Sequence, residues 1–190
     1  MFVFKKKYFL IIENIKDIDL CNIKRLNKFT IIYRNKGVIQ DFSELKKFRI
    51  DCKSRSIKFF IANNLKLASI IDADGVYLSA HNKTFKHLNL KSYKFSIIGS
   101  AHNTKEIYQK IKQGCNYILL SKLFLVDYDK NSSILGVTKF NYYLKNIFNK
   151  LIPLGGIKSD NLNCLKNINS DGVAIKSEVK KKPAIISRLF

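Results

Sequence analysis

Short apolar runs recur along the chain, and most are apolar at consecutive rather than alternating positions. Eight stand out: YFLII (Tyr8–Ile12), FTIIY (Phe29–Tyr33), IKFFI (Ile57–Ile61), GVYLS (Gly75–Ser79), FSIIG (Phe95–Gly99), YILLS (Tyr117–Ser121), LIPLG (Leu151–Gly155) and GVAIK (Gly172–Lys176). A strand with one face in water alternates apolar and polar residues, whereas a strand covered on both faces does not. The eight runs therefore predict buried, parallel strands.

Between them the period lengthens. Thr104–Gly114 places Ile107 and Ile111 four apart on one face, with Thr104 as N-cap and Gly114 as a C-terminal cap. Thr138–Leu151 carries Phe140, Tyr143, Leu144, Ile147 and Phe148 on one stripe, and Asn63–Ile71 is a shorter third helix. The first two crossover helices and the last read as stunted. Alternating strands and helices define an α/β protein. No Gly/Ser-rich or Pro-rich linker divides the sequence, so residues 1–190 are expected to form a single domain. Eight strands with seven crossovers predict a (β/α)8 TIM barrel with shortened helices, and a doubly wound open sheet is the alternative.

Composition narrows the class. With 190 residues, 46% of them hydrophobic, the chain can bury a sizeable core. No apolar run reaches the ~18 residues of a membrane span. The opening MFVFKKKYFLII sets basic residues before an apolar stretch, but that stretch is short and no small-residue cleavage site follows, so it reads as a first strand of a cytoplasmic protein. Cys21, Cys52, Cys115 and Cys164 are widely spaced without a C-x-x-C, which argues against a zinc site and suits reduced thiols. The 35 basic and 14 acidic residues leave a net charge of +21. Lysines are scattered, with runs only at Lys5–Lys7 and Lys180–Lys182, so small anionic substrates are the expected partners rather than nucleic acid.

Candidate chemistry sits at the predicted strand ends, where barrels of this kind place their active sites. Gly155 and Gly156 close the seventh strand, and a glycine pair there is either a plain turn or a cradle of backbone N–H groups for a phosphate. Ser177 follows the eighth strand. Arg34 and Lys36, two apart after the second, could converge on a polyanion or be solvated surface charge. Ser100 and His102 follow the fifth, and His102 is a candidate proton carrier or an ordinary exposed histidine. After the sixth strand comes the longest loop, with Lys122, Asp127, Asp129 and Lys130, read as a lid or binding loop.

Taken in order, these segments resemble the thiamine phosphate synthase family, including its thiazole tautomerase relatives. IIYRNKG resembles the family's R-x-K, and NNLKLASIIDADGVYL its strand 3 to strand 4 region. IIGSAHNTKEI, GCNYILLSKLF, IPLGGI and SDGVAIKS follow at fitting separations. The resemblance implies a (β/α)8 barrel that joins 4-amino-5-hydroxymethyl-2-methylpyrimidine pyrophosphate to 4-methyl-5-(2-phosphoethyl)thiazole with Mg²⁺, a transferase of thiamine biosynthesis. It implies Arg34, Lys36, Ser100 and Lys130 on pyrophosphate and Gly155, Gly156 and Ser177 on the thiazole phosphate; Lys122 is a further phosphate-binding candidate, and His102 stays a catalytic candidate on its own chemistry.

The sequence also departs from the family pattern. The family's Asn-Asp after strand 3 is Ala62-Asn63 here, and a second acidic metal ligand falls at Asn82. Metal ligation by Asn63 and Asn82 would lack two formal charges and hold Mg²⁺ weakly. Ile32 stands at the family's glutamine, LVDYD replaces P-T-x-T-K with Asp129 at the lysine, and Lys122 occupies the tautomerase histidine position. Three expectations follow. One is a divergent synthase. Another is a tautomerase-like or non-catalytic thiazole-phosphate binder with an eroded pyrophosphate site. The last is a basic, non-enzymatic nucleic-acid scaffold. Homo-oligomerisation is left open.

Overall fold

The computed structural model describes residues 7–23, 27–35, 37, 41–86, 95–127 and 133–176. Lys36, Lys130 and Ser177 lie outside the described residues. The strands are β1 (Lys7–Ile12), β2 (Phe29–Tyr33), β3 (Lys58–Ala62), β4 (Gly75–Leu78), β5 (Ser96–Ala101), β6 (Tyr117–Leu120), β7 (Leu151–Pro153) and β8 (Gly172–Ile175). Each pairs in parallel with its sequence neighbour, and β8 pairs with β1. A parallel bridge between Leu154 and Ala174 brings β7 to β8 and completes the ring. The expected (β/α)8 barrel is the observed fold, and the open sheet is not.

Consecutive apolar residues are explained by two separate apolar layers. Phe9, Ile11, Ile32, Phe60, Tyr77, Ile98, Leu119, Ile152 and Ala174 fill the barrel interior. Their sequence neighbours, among them Leu10, Ile31, Phe59, Val76, Ile118 and Val173, face the surrounding helices and loops. Interior space is tight: a Cβ on Gly75 would lie 2.4 Å from the Phe60 ring, and one on Gly172 would lie 3.1 Å from the Phe9 ring.

The helices are α1 (Phe42–Ser54), α2 (Leu65–Ile70), α3 (Thr104–Lys112) and α4 (Gly136–Asn146). Helix α3 begins as expected, but its N-cap is Asn103, whose side chain accepts the Glu106 N–H at 2.9 Å, rather than Thr104. Gly114 follows its C-terminus at φ +73°. Helix α4 stops at Asn146, short of Leu151, while Tyr143, Ile147 and Phe148 still pack on the core. The first crossover is stunted, with only two short 3-10 turns, Ile15–Asp17 and Leu20–Asn22. The crossover from β7 to β8 is likewise a 3-10 turn, Leu162–Asn167. The second crossover is not stunted, because α1 runs for 13 residues. Its buried face is Leu45, Arg49 and Cys52, and the arginine in that stripe breaks the apolar period. Arg49 donates to the Asp72 carbonyl at 2.7 Å and to Asp74 at 3.2 Å, which satisfies its buried guanidinium.

Candidate functional site

The C-terminal ends of the strands enclose a cavity of about 310 Å³. Arg34 enters after β2, Ala80 and His81 after β4, and Ser121 and Lys122 after β6. Leu154–Lys158 enter after β7, and Lys176 after β8. Tyr77, on the interior face of β4, is buried and also lines the cavity. Burial pushes its phenol pKa up, while a hydrogen bond with Ser100 and the charge of Arg34 oppose that shift. Ser100 does not follow the fifth strand; it lies within β5, on the same inward-facing register as Ile98.

The glycine pair has a backbone reason. Gly155 has φ +95° and Gly156 φ +68°, the left-handed region that side chains resist. The Phe124 N–H donates to the Gly155 carbonyl at 3.1 Å, and Asn161 Nδ2 donates to the Gly156 carbonyl at 2.7 Å. In a trans peptide the N–H points opposite its own carbonyl, so the N–H groups of Gly156 and Ile157 turn away from those partners. Among the described residues, neither N–H donates a hydrogen bond. Gly156 is also packed: an added Cβ would lie 2.4 Å from the Leu125 carbonyl oxygen and 2.5 Å from the Phe124 carbonyl carbon. Close approach of the loop after β6 and a left-handed turn both demand glycine here. Sequence alone offered turn and cradle as alternatives, and the bend combines a packed outer side with two undonated amides.

Cations dominate the walls. Arg34, Lys122, Lys158 and Lys176 line the cavity, and Asp127 is the carboxylate among the lining residues described. Lys158 pairs with Asp127 at 2.5 Å, joining the loop after β7 to the loop after β6. Lys176 pairs with Glu13 at 3.2 Å. At the ends of β5 and β6 Ser121 Oγ lies 2.8 Å from His102 Nδ1, and the His102 backbone N–H donates to Glu106 at 2.7 Å. Sequence reasoning named Arg34, Ser100, His102, Lys122, Gly155 and Gly156, and the fold brings all six to this cavity. It missed Tyr77, His81, Ser121 and Lys158. Tyr77 had a legible signal, the inward register of β4, whereas the others depend on how loops turn.

Asn63 and Asn82 do not line the cavity; they bond to each other. Asn63 Oδ1 accepts the Ser79 N–H at 3.0 Å and Asn82 Nδ2 at 3.1 Å, and Asn63 Nδ2 donates to Ser79 Oγ at 3.1 Å. Asn82 Oδ1 accepts the Thr84 N–H at 3.0 Å and the Thr84 hydroxyl at 2.9 Å. Each amide oxygen is oriented by a backbone N–H, which can only donate. Both oxygens already hold two donors, so the pair does not fit a divalent cation. Nor do three or more His, Cys, Asp or Glu side chains among the described residues cluster in a way that could hold one.

The model for thiamine monophosphate synthase matches residues 26–179. The chain belongs to this family. Thiamine-phosphate synthase relatives include one from Prochlorococcus marinus subsp. pastoris, 30% identical over 168 residues, covering 88% of this chain and 47% of that protein. Another, from Flavobacterium johnsoniae, is 29% identical over 167 residues and is matched over 83% of this chain and 79% of its own. The chain spans about half the length of the three Prochlorococcus marinus relatives it matches. In fold, it is similar to the solved thiamine phosphate pyrophosphorylase from Pyrococcus furiosus, with TM-score 0.75, 18% identity and 97% of each chain covered. The Asn63–Asn82 amide pair stands at the positions where metal ligation was expected.

Proposed function

We propose that the cavity holds a thiazole phosphate and a pyrimidine pyrophosphate and joins them, the reaction of a thiamine-phosphate synthase. The observation that carries this reading is the Gly156–Ile157 bend, where two undonated amides border a cavity lined by Arg34, Lys122, Lys158 and Lys176. Backbone N–H groups of this kind donate to phosphate oxygens, and cations stabilise the charge a leaving pyrophosphate develops.

In this reading Gly155, Gly156 and Lys158 seat the thiazole's phosphate, with Ser177. Arg34, Ser100 and Lys122 hold the pyrophosphate, with Lys36 and Lys130. The bond between the pyrimidine's methylene carbon and the pyrophosphate oxygen breaks, and pyrophosphate takes the electron pair. The thiazole nitrogen supplies a pair to that carbon, and the new C–N bond leaves a thiazolium. Four undisulfided cysteines suit a cytoplasmic setting. The test is to mix both substrates with the folded protein and look for thiamine phosphate. Its formation, lost in Arg34→Ala, supports the reading; its absence with thiazole phosphate bound refutes it.

The Asn63–Asn82 pair favours a second reading, in which the protein binds or tautomerises a thiazole phosphate without handling pyrophosphate. Binding of thiazole phosphate in chelator, with no response to the pyrimidine pyrophosphate, would select it.

A further inference from the structure

The corner between β3 and β4 is closed by more than the two asparagines. Lys110 of α3 is fully buried, and its Nζ donates to the Asn82 carbonyl at 2.7 Å and to Gln113 Oε1 at 2.9 Å. Gln113, also fully buried, donates to the Asn82 carbonyl at 3.1 Å and to the Thr84 carbonyl at 2.7 Å. The chain makes room for this lysine: a Cβ on Gly99 would lie 2.9 Å from Lys110 Cδ. One hydrogen-bonded chain therefore runs from Lys110 through Asn82 to Asn63 and Ser79, beside His81 of the cavity.

We propose that Lys110 is a positioning residue whose buried amine group fixes the loop after β4, and that this corner refuses a divalent cation. Three features argue for it. The acceptor capacity that a metal would need at Asn63 and Asn82 is spent on internal donors. The Asn82 carbonyl, a further oxygen of the kind hard cations take, is spent on Lys110 and Gln113. Close by, the Lys110 amine in its charged form repels a second cation. Structural order at the corner is then supplied by the protein itself. This holds whichever reaction the cavity performs.

The experiment is a Mn²⁺ titration of the full, ¹⁵N-labelled chain, read at the side-chain amides of Asn63 and Asn82. The expected result is no paramagnetic broadening at either amide in millimolar Mn²⁺, and the same melting temperature in EDTA and in Mg²⁺. Selective broadening at these two amides, or stabilisation by Mg²⁺, overturns the proposal. A second measurement separates a positioning amine from a space-filling side chain. In the Asn63→Asp/Asn82→Asp protein, adding Lys110→Met is expected to raise Mn²⁺ affinity by about tenfold or more, since it removes the repelling charge and one of the two donors on the Asn82 carbonyl. Equal affinity with and without Lys110 overturns the role given to it. If Lys110→Met does not fold, Lys110→Gln, which likewise removes the charge, is measured in the same way and read against the same two outcomes.

Discussion

Gly156 lies against the backbone of Phe124, where a Cβ would come within 2.5 Å of the carbonyl carbon. Backbone cannot swing aside as a flexible side chain can, and φ at this residue is +68°. Gly156→Ala is expected to cost at least about 2 kcal/mol of stability from left-handed strain and overpacking together. Gly155→Ala meets Lys122 Cα at the looser distance of 3.2 Å. It should cost about 1 kcal/mol less than Gly156→Ala. Urea unfolding of both variants checks the order.

Cys52 and Cys115 are buried, and burial pushes each thiol up from 9.0 to about 12. An acid whose pKa is raised by folding stabilises the native state fully below its unfolded value. That contribution is lost as pH rises from 9.0 towards about 12, because the unfolded thiol ionises first. Each thiol should steepen the fall in stability by about 1.4 kcal/mol per pH unit within that window. The Cys52→Ala/Cys115→Ala protein should show a shallower alkaline slope. Alkylation of the native protein at neutral pH should modify Cys21 and Cys164, which are exposed, and spare the other two.

Asp127 brings a carboxylate into a cavity proposed for anions, and it pairs with Lys158 at 2.5 Å. Asp127→Asn removes that charge and its competition for the lysine. Affinity for thiazole phosphate should rise by about three- to tenfold, while Lys158→Met should lower it by about tenfold. Calorimetric titration of the two variants gives opposite signs if the cavity is the phosphate site.

His102 and Ser121 face each other at 2.8 Å in the cavity wall. If the histidine serves the chemical step rather than phosphate binding, His102→Gln should lower turnover by about 10- to 100-fold and leave thiazole-phosphate affinity unchanged. Turnover and binding, measured on the same preparation, separate the two roles.

The barrel was legible because its strands are covered on both faces, which writes consecutive apolar residues into the sequence. FTIIY at Phe29–Tyr33 coincides with β2 to the residue. Helix α1 was not legible, since Arg49 takes a buried place in its stripe and the Lys-rich remainder hides the period. Lys110 and Gln113 mislead in the same way, as polar groups whose burial is justified only by carbonyls of a distant loop. At the site, the glycine bend could be read from two adjacent glycines ending an apolar run. The Asn63–Asn82 bond could not, because it depends on Asn63 standing at φ +55° and on the turn after β4.

The most direct measurement is calorimetric titration of the wild-type protein with 4-methyl-5-(2-phosphoethyl)thiazole and with its dephosphorylated alcohol. If the Gly156–Ile157 amides and surrounding lysines form a phosphate cradle, the phosphate ester binds and the alcohol is weaker by about 100-fold or more. Equal affinity for the two, or no binding of the ester by a folded protein, contradicts the account.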